Sequence, residues 1–290
     1  MADQRSIVIT GVSSGIGHAA AAHAIAQGAH VFGSVRSAED ATRLRREWGQ
    51  AFTPLVFDLR DEAALEAEAG RVVAALNGRT LSGLVNNAGA ALPGPALLQP
   101  WDEVREQIET NFMGAVAATR AFAPLLGADR TRKAALSGPP GRIVMMSSIA
   151  GALGQPFLSA YVASKHALEG YADALRVELQ VFGVDVVIIS PALVATPIWD
   201  KAKPFAGRYA GTPYAEPFDR ALTLMTKAGE RQGLPDARIA AIVWTALTAK
   251  RPRARYMPAR HPLVEQVLAR IVPRRVFDRI AGASLGLRAR

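Results

Sequence analysis

The stretch Ile7-Val8-Ile9-Thr10-Gly11-Val12-Ser13-Ser14-Gly15-Ile16-Gly17, near the amino terminus, decides the fold of this chain. Three consecutive β-branched apolar residues indicate a buried strand, and the glycines after them indicate a tight turn into a helix. This arrangement suits a pyrophosphate, because the first turn of a helix has free N–H groups and a partial positive charge. The glycine spacing differs from the commonest G-x-G-x-x-G form. The stretch therefore predicts a dinucleotide-binding βα unit.

Strand-like and helix-like segments alternate through the chain as far as residue 189. Runs rich in Val and Ile are typical of buried parallel strands, and alanine-rich segments between them are typical of helices. The strand-like runs are Ile7–Thr10, His30–Val35, Pro54–Phe57, Gly83–Asn86, Arg142–Met146 and Val184–Ile189; the helix-like runs are Gly17–Gln27, Ala38–Trp48, Glu62–Asn77, Trp101–Leu126 and Ser159–Phe182. Repeated βα units predict an α/β fold, with a Rossmann-type doubly wound parallel sheet in a single domain.

Two later segments break this alternation. Residues 191–235 are rich in Pro, Gly and aromatic residues and follow the sixth strand, at the sheet edge where α/β proteins bind ligands. They predict a substrate lid within a catalytic domain spanning 1–258. Residues 259–290 carry apolar residues at helical spacing with arginines beside them, which predicts a basic amphipathic tail packed on the body. A basic helix at an anionic membrane surface is the alternative.

Composition and charge exclude several classes of protein. Eleven basic and two acidic residues lie in 250–290 and account for the whole net charge of +9, so the neutral body is not expected to bind nucleic acid. The chain has no cysteine, which excludes disulfides, thiolate metal sites and cysteine nucleophiles. The histidines lack metal-ligand spacing, and we expect no metal. Without a secretory signal or a run of ~20 apolar residues, we expect a cytoplasmic protein.

A tyrosine and a lysine lie four residues apart, at Tyr161 and Lys165, and so share one face of a helix. An ammonium beside a phenol lowers the phenol's pKa, which is ~10 when unperturbed. Tyr161 can then act as general acid toward a ketone and as general base toward an alcohol. Ser148, thirteen residues earlier, can donate a hydrogen bond to the carbonyl oxygen. Taken singly, the pair occurs by chance on many helices, and Ser148 is an ordinary turn residue.

The end of the second strand distinguishes the two nicotinamide cofactors. A carboxylate there binds a free ribose 2′-hydroxyl, whereas an arginine accommodates a 2′-phosphate. This strand ends at Arg36, with no carboxylate before Glu39, so Arg36 and the Ser14 hydroxyl favour NADP(H) over NAD(H). A solvated arginine is the alternative. Asp58, which precedes Leu59, is placed either to accept from the adenine amino group or to cap the next helix.

Five motifs, in their order along the chain, resemble those of the short-chain dehydrogenase/reductase superfamily. They are Thr10–Gly17, Asn86-Asn87-Ala88-Gly89, Asn111, Ser148 and Tyr161-Val162-Ala163-Ser164-Lys165. The resemblance covers about residues 5–200 and implies an oxidoreductase with Asn111, Ser148, Tyr161 and Lys165 as catalytic residues. It also implies that Asn111 holds a water that relays protons to Lys165. Arg255-Tyr256 and the basic tail more loosely resemble the branch that includes hydroxysteroid and retinol dehydrogenases.

The motifs and the resemblance together give a predicted cofactor site. Its residues are Gly11, Ser13, Ser14, Gly15, Ile16, Arg36, Asp58, Leu59, Asn87, Ala88, Tyr161, Lys165, Val194 and Thr196. The resemblance implies that Asn87 lines the ribose and that Thr196 bonds the carboxamide; a turn residue and a helix N-cap are the respective alternatives. The family usually has Pro-Gly where this chain has Pro191-Ala192, so a Cβ narrows the backbone freedom beside the nicotinamide.

The predicted substrate is a small lipophilic carbonyl compound or alcohol, because the loops around the nicotinamide are apolar and aromatic. The substrate residues are expected to be Ser148, Phe157, Tyr161 and Trp199, although such aromatics equally suit the core of a folded lid. The predicted function is NADP(H)-dependent interconversion of a carbonyl and an alcohol. An NADP(H)-sensing regulator without turnover is the alternative. Small residues along the helix from Ser159 favour a homodimer or homotetramer.

Overall fold

The computed structural model describes residues 4–129, 136–195, 204–260 and 273–287. Within them a seven-stranded parallel sheet runs in the order β3-β2-β1-β4-β5-β6-β9, and β7 pairs with β8 in a separate small sheet. The strands are β1 (Ser6–Ile9), β2 (His30–Val35), β3 (Phe52–Val56), β4 (Gly83–Asn86), β5 (Arg142–Met146), β6 (Asp185–Ile189), β7 (Val194–Ala195), β8 (Leu234–Pro235) and β9 (Arg255–Tyr256). Every pair in the main sheet is parallel, as a chain of βα units requires.

Helices cover both faces of the sheet. They are α1 (Gly15–Ala26), α2 (Ala38–Trp48), α3 (Glu62–Leu76), α4 (Trp101–Ile108), α5 (Gly114–Phe122), α6 (Ser159–Glu178), α7 (Ala215–Gln232), α8 (Asp236–Thr248) and α9 (Arg274–Leu285). A π-helical segment, Glu109–Met113, joins α4 to α5 without a break. The strand order reverses between β1 and β4, which leaves a crevice at their carboxyl ends. The doubly wound sheet predicted from the sequence is thus confirmed.

The core follows from the alternation of side chains along each strand. Ile7 and Ile9 of β1 pack with α1, α2 and α8 on one face, whereas Val8 between them packs with α3, α5 and α6 on the other. A third group, here called the lid cluster, is separate from these two and consists of Phe157, Tyr209, Phe218, Ala221, Leu222 and Leu285. The carboxyl-terminal helix α9 packs on α7 and contributes Leu285 to this cluster.

The sequence patterns and the structure differ in several places. The segment predicted as one helix over Trp101–Leu126 contains the π-helical segment, and it ends in a 3₁₀ turn. Helix α8 and the two-residue strands β7, β8 and β9 were not predicted. In the tail, α9 is helical as expected, but residues 261–272 lie outside the described part of the chain. Among the described residues, no helix combines the length and the apolar character needed to cross a membrane.

Candidate active site

A cavity of about 480 Å³ opens at the carboxyl ends of β1 to β5, where the strand order reverses. It brings together most of the residues predicted to hold a cofactor, although they come from five separate parts of the chain. Those that line it are Gly11, Ser13, Ser14, Gly15, Ile16, Arg36, Asp58, Leu59, Asn87, Ala88, Tyr161 and Lys165. The predicted proton-transfer pair therefore opens onto the same cavity as the glycine turn.

The glycine turn is held by the neighbouring strand. Gly11 has a φ of +71°, which a residue with a Cβ rarely adopts. A Cβ on Gly17 would strike the Gly11 carbonyl and the Asn87 amide, so α1 can start this close to the sheet only with glycine there. Asn87 Nδ2 donates to the carbonyls of Thr10 (2.9 Å) and Gly11 (3.1 Å). Ser14, the N-cap of α1, makes no side-chain capping bond, so the first N–H groups of the helix face the cavity.

The end of β2 carries positive charge at the cavity wall. Arg36 is exposed there, next to the hydroxyl-bearing residues Ser14 and Ser37. One carboxylate, that of Asp40, also reaches this wall, but it accepts a hydrogen bond from Arg43 at 2.6 Å. Because Asp40 is paired in this way, the wall can accept a phosphate beside Arg36.

Asp58 stays ionised at the end of β3. Its carboxylate accepts from Arg60 Nε (2.9 Å) and Nη2 (2.7 Å), and these hydrogen bonds lower the pKa of Asp58 to about 2, with a smaller contribution from Arg36. The helix that follows is capped by Asp61, whose side chain accepts from the Ala64 N–H at 3.0 Å. Asp58 is thus not the helix cap, and its carboxylate remains at the cavity wall.

The candidate proton-transfer residues meet where α6 passes the end of β5. Tyr161 shares a hydrogen bond with the Ser148 side chain, and Ser148 is held by accepting from the Ala150 N–H at 3.2 Å. Lys165 Nζ lies 5.7 Å from the centre of the Tyr161 ring and donates to the Met146 carbonyl at 2.8 Å. A phenol and an amine therefore meet at one end of the cavity, and the Ser148 hydroxyl is bonded to the phenol, although Ser148 does not itself line the cavity.

The pKa of Tyr161 is raised, whereas the sequence predicted that Lys165 would lower it. Burial raises the pKa of this phenol, and the hydrogen bond with Ser148 offsets part of that rise. Burial also lowers the pKa of Lys165 to about 8, against the opposing influence of Glu169. The lowering of the Tyr161 pKa expected from Lys165 is outweighed, because Nζ bonds to the Met146 carbonyl and desolvation disfavours both charged forms. The phenol is consequently protonated at neutral pH.

Asn111 is 1% exposed and lies in the π-helical segment. Its Nδ2 donates to the Ala90 carbonyl and to Ser164 Oγ, each at 2.9 Å, and its Oδ1 accepts from the Ala90 N–H at 2.7 Å. A Cβ on Gly89 would lie 3.1 Å from Asn111 Oδ1 and 3.8 Å from Lys165 Nζ, so both side chains converge there. Since both amide hydrogens of Asn111 are bonded within the protein, its side chain holds Ala90 and Ser164 in place. The relay water implied by the resemblance stays a prediction.

Four predicted residues lie elsewhere or outside the described part of the chain. Val194 is buried in β7, among the core side chains next to α8, and is not part of the cavity wall. Phe157, with a φ of +65°, belongs to the lid cluster, where its ring packs edge-on against Phe218 with 5.5 Å between centroids. Thr196 and Trp199 are outside the described residues. Phe157 therefore lies where the alternative interpretation placed it, in the core of the folded lid.

Besides Asp40 and Glu106, which line the cavity, three charged residues of the site were missed from the sequence. Arg43 donates to the Ser13 carbonyl at 3.0 Å, Arg60 pairs with Asp58, and Glu169 lies below Lys165. For Glu169 a signal existed, because it lies four residues after Lys165 and hence on the same helix face. The other two carried none. No cluster of three or more potential metal-binding side chains occurs among the described residues.

Comparisons with known proteins agree with this geometry. A family model described as short chain dehydrogenase matches residues 5–206. An NADPH-dependent 3-dehydrocapnine reductase of Ornithobacterium rhinotracheale is 40% identical over 276 residues, which cover 95% of each chain. A 3-ketodihydrosphingosine reductase of Bacteroides thetaiotaomicron is 31% identical over 265 residues, covering 91% of this chain and 90% of the relative.

Solved structures agree on the fold. A short-chain dehydrogenase from Streptomyces avermitilis superposes with a TM-score of 0.78 at 24% identity, over 99% of this chain and 100% of its own. At that identity the likeness concerns the fold alone. The assignment to a family rests on the family model and on the two relatives, which span more than nine tenths of the chain. This chain belongs to the short-chain dehydrogenase family.

Proposed function

We propose that this protein is an NADP(H)-dependent oxidoreductase that interconverts a ketone and a secondary alcohol on a lipophilic substrate. One observation carries the proposal: the phenol of Tyr161, beside Ser148 and Lys165, opens onto the same cavity as the amino end of α1. A bound dinucleotide and a proton donor are the two requirements for reducing a carbonyl group.

The cavity wall fits NADP(H) chemically. The open first turn of α1 suits the pyrophosphate, since its N–H groups are unpaired and the glycines let the phosphates approach. Arg36, with Ser14 and Ser37, suits a 2′-phosphate. Asp58 suits the adenine amino group because it remains an acceptor. The Ornithobacterium relative, named as NADPH-dependent, supports the same choice.

Each catalytic side chain has a distinct part in the reduction. When bound, the reduced nicotinamide supplies a hydride to the carbonyl carbon. Ser148 donates a hydrogen bond to the carbonyl oxygen, on which negative charge develops. Tyr161 gives its proton to that oxygen: the raised pKa keeps the proton on the phenol until the substrate is bound, and the transfer itself requires that the phenolate be stabilised. Lys165, as an ammonium, stabilises the phenolate that remains.

The substrate we propose is a ketone on an extended lipophilic molecule. The two relatives are named as reductases of a 3-dehydro and a 3-keto compound, which supports a ketone here. The aromatic lid cluster and Leu92, at the cavity wall, support an apolar substrate. Trp199 and Thr196, which follow β7 in the sequence and lie outside the described residues, are the proposed substrate and carboxamide contacts, respectively.

The test is NADPH oxidation with 3-oxo compounds of increasing alkyl chain length. We expect kcat/KM to rise with chain length and NADH to be the poorer donor. The alternative, an NADP(H)-sensing regulator, predicts tight NADPH binding by fluorescence titration but no turnover with any ketone of the series. That result would reject the enzymatic proposal.

We also propose that α9 contacts an anionic membrane surface. Its outer face exposes Val276 (44%) and Ile280 (62%) beside the exposed Arg275 and Arg279. Apolar side chains flanked by arginines suit an interfacial helix on acidic lipid. Vesicles containing phosphatidylserine should co-sediment the full chain, less so at high salt and less for a V276S/I280S variant. Equal binding of that variant would exclude the proposal.

A homo-oligomer through α6 is the last part of the proposal. Ala163, Gly170, Ala174 and Val177 form an exposed stripe of this helix. A Cβ on Gly170 would meet nothing within 4 Å, so packing within the chain does not require glycine there. Light scattering should give a dimer or tetramer for the native chain and a smaller species for G170R. A cytoplasmic location stays a prediction.

A further inference from the structure

One helical turn from the proton-transfer residues, a buried carboxylate of α6 forms an ion pair with a partly buried arginine of β9. Glu169 lies one helical turn after Lys165, and Arg255 of β9 donates to its carboxylate. We propose that this pair is a positioning element for Lys165: Glu169 keeps the amine charged and in place, and Arg255 limits how strongly it does so. The last strand of the sheet is thereby coupled to the proton chemistry. The inference builds on the proposed function, yet the state of Lys165 is measurable without turnover.

The carboxylate of Glu169 is buried and fully engaged. It is 7% exposed, and a buried carboxylate requires partners because desolvation opposes its charge. Its Oε1 accepts from Ser190 Oγ at 2.7 Å, and its Oε2 accepts from Arg255 Nη1. Arg255 Nη2 in turn donates to Asp173 at 3.2 Å. The geometry is that of a fixed charge, held from both sides.

The same carboxylate lies against the turn that presents Ser148. A Cβ on Gly151 would come within 2.6 Å of Glu169 Oε1 and 2.7 Å of Ser147 Oγ, so glycine is required for this contact. The Ser147 hydroxyl is buried and makes no hydrogen bond within the described residues. Ser190, on the other side, directly follows β6. Glu169 therefore contacts the structures that carry Ser148, Lys165 and the start of the lid.

The sign of each charge gives opposite effects on Lys165. Burial lowers the pKa of Lys165 to about 8, and the nearby negative charge of Glu169 raises it. Arg255 partly neutralises Glu169 and so weakens that rise. The charged or titratable groups that face this pair are Lys165 and Asp173 on α6, and Tyr161 faces Lys165 from one turn above. Arg255 is positioned by pairing of β9 with β6, at Ile188.

The experiment measures the pKa of Lys165 directly. Trace acetylation at a series of pH values, followed by mass spectrometry of the peptide that contains Lys165, reports the protonation of this amine in the full chain. E169Q should lower that pKa by about one unit, because an opposite charge nearby is lost. R255Q should raise it, because Glu169 is then unopposed. The double variant E169Q/R255Q should return close to the wild-type value.

The alkaline limb of ketone reduction should move in the same order, to lower pH in E169Q and to higher pH in R255Q. E178Q, a matched change at an exposed position of the same helix, should leave both readouts unchanged. An unshifted Lys165 pKa in both single variants, or shifts in the same direction, would overturn the proposal in favour of a merely structural pair.

Two further results keep the test decisive. If E169Q does not fold, as judged by thermal denaturation, R255Q and R255K decide: R255K keeps the charge and should match the wild-type pKa of Lys165, and equal values in the two variants would overturn the proposal. If acetylation shows the expected order but no ketone is reduced, the positioning role stands and the proposed function fails. The two ideas are therefore separable.

Discussion

The cofactor end of the cavity and the lid are built from different interactions. At the cofactor end, Thr10 Oγ1 accepts from the N–H groups of Asn87 (2.9 Å) and Ala88 (3.0 Å), so backbone is held by short hydrogen bonds. The lid is held by ring edges, with Tyr209 and Phe218 4.8 Å apart between centroids. Hydrogen bonds fix position within tenths of an ångström, whereas apolar contacts tolerate repacking.

This difference suits the two regions to different ligands. The cofactor end of the cavity, here called the cradle, consists of Thr10–Gly17, Arg36, Asp58 and Asn87–Ala88. The cofactor is the same molecule in every turnover, so a rigid site suits it, while a lid of apolar side chains can adapt to a flexible substrate. The lid is attached to the cradle side through Arg208, which pairs with Glu103 of α4. Five changes, from the largest expected effect to the smallest, would break or sharpen this contrast.

Replacing Tyr161 by Phe should have the largest effect, because the hydroxyl is the proton donor at the boundary between cradle and lid. We expect kcat to fall by about 1,000-fold, within the usual range for general acid catalysis, and NADPH affinity to stay unchanged. NADPH oxidation and fluorescence titration measure the two quantities. Y171F, the same change ten residues later on α6, should retain activity. Activity of Y161F comparable to that of the wild-type protein would rule out Tyr161 as the proton donor.

Adding one methyl group to the cradle should nearly abolish cofactor binding. G17A places a Cβ against the Gly11 carbonyl, so the start of α1 must shift. We expect NADPH to bind about 100-fold more weakly, or roughly 2.7 kcal/mol. G70A is the control, because its Cβ would meet nothing within 4 Å in α3; it should raise the thermal midpoint slightly. Normal NADPH affinity in G17A would contradict a rigid cradle.

Removing the charge of Arg36 should separate the two cofactors. R36L loses the charged partner of a 2′-phosphate, so NADPH should bind roughly 10- to 100-fold more weakly. NADH, which has no such phosphate, should bind as before. The matched variant is R46L, an exposed arginine further along α2, and it should change neither affinity. Isothermal titration with both nucleotides gives the answer, and equal losses for NADH and NADPH would refute the assignment.

The pH dependence should report Lys165. Its pKa is depressed to about 8, so the ammonium is present below that pH and is lost as pH rises through it. Because the pKa of Tyr161 is raised, the phenol stays protonated over the same range. The rate of ketone reduction should therefore fall about tenfold between pH 7 and pH 9, as one titrating group requires. A flat profile, with an unchanged thermal midpoint, would mean that Lys165 need not be charged.

Truncation in the lid should affect the substrate and leave the cofactor alone. F218A removes a fully buried ring from the lid cluster and should lower the free energy of unfolding by about 3–5 kcal/mol. We expect a several-fold rise in KM for the ketone with NADPH affinity unchanged, since the ring is absent from the cavity wall. L224A, at an exposed position of the same helix, should leave KM as it is. Weaker NADPH binding in F218A would show that lid and cradle are not independent.

The cradle was predictable from the sequence because its chemistry is local. A strand, a glycine turn and a helix start lie within eleven residues, and β-branched runs reveal β1 to β6 without knowledge of their partners. Even there, the contact of Arg43 with the Ser13 carbonyl escaped prediction. It joins residues thirty positions apart, and α2 reads as a solvated amphipathic helix.

The carboxyl-terminal part was less predictable for physical reasons. Strand β9 has two residues and no periodicity, and it exists because β6 offers a free edge. Helix α8 has apolar residues on most sides, which blurs the helical period. Phe157 and Tyr209 fit a substrate wall and a lid core equally well by composition, and tertiary packing alone separates these uses.

The π-helical segment has a consequence for insertions and deletions in this chain. It holds one more residue per turn than the α-helices on either side, and that surplus residue turns the Asn111 amide inward toward Ala90 and Ser164. Removing one of its residues other than Asn111 would let the helix become regular: the α-helices on either side would keep their buried faces, and the wider turn that directs Asn111 inward would be lost. Substitutions at its exposed positions keep the count and should be tolerated. The orientation of the Asn111 side chain thus depends more on the number of residues in this segment than on the identity of its exposed residues.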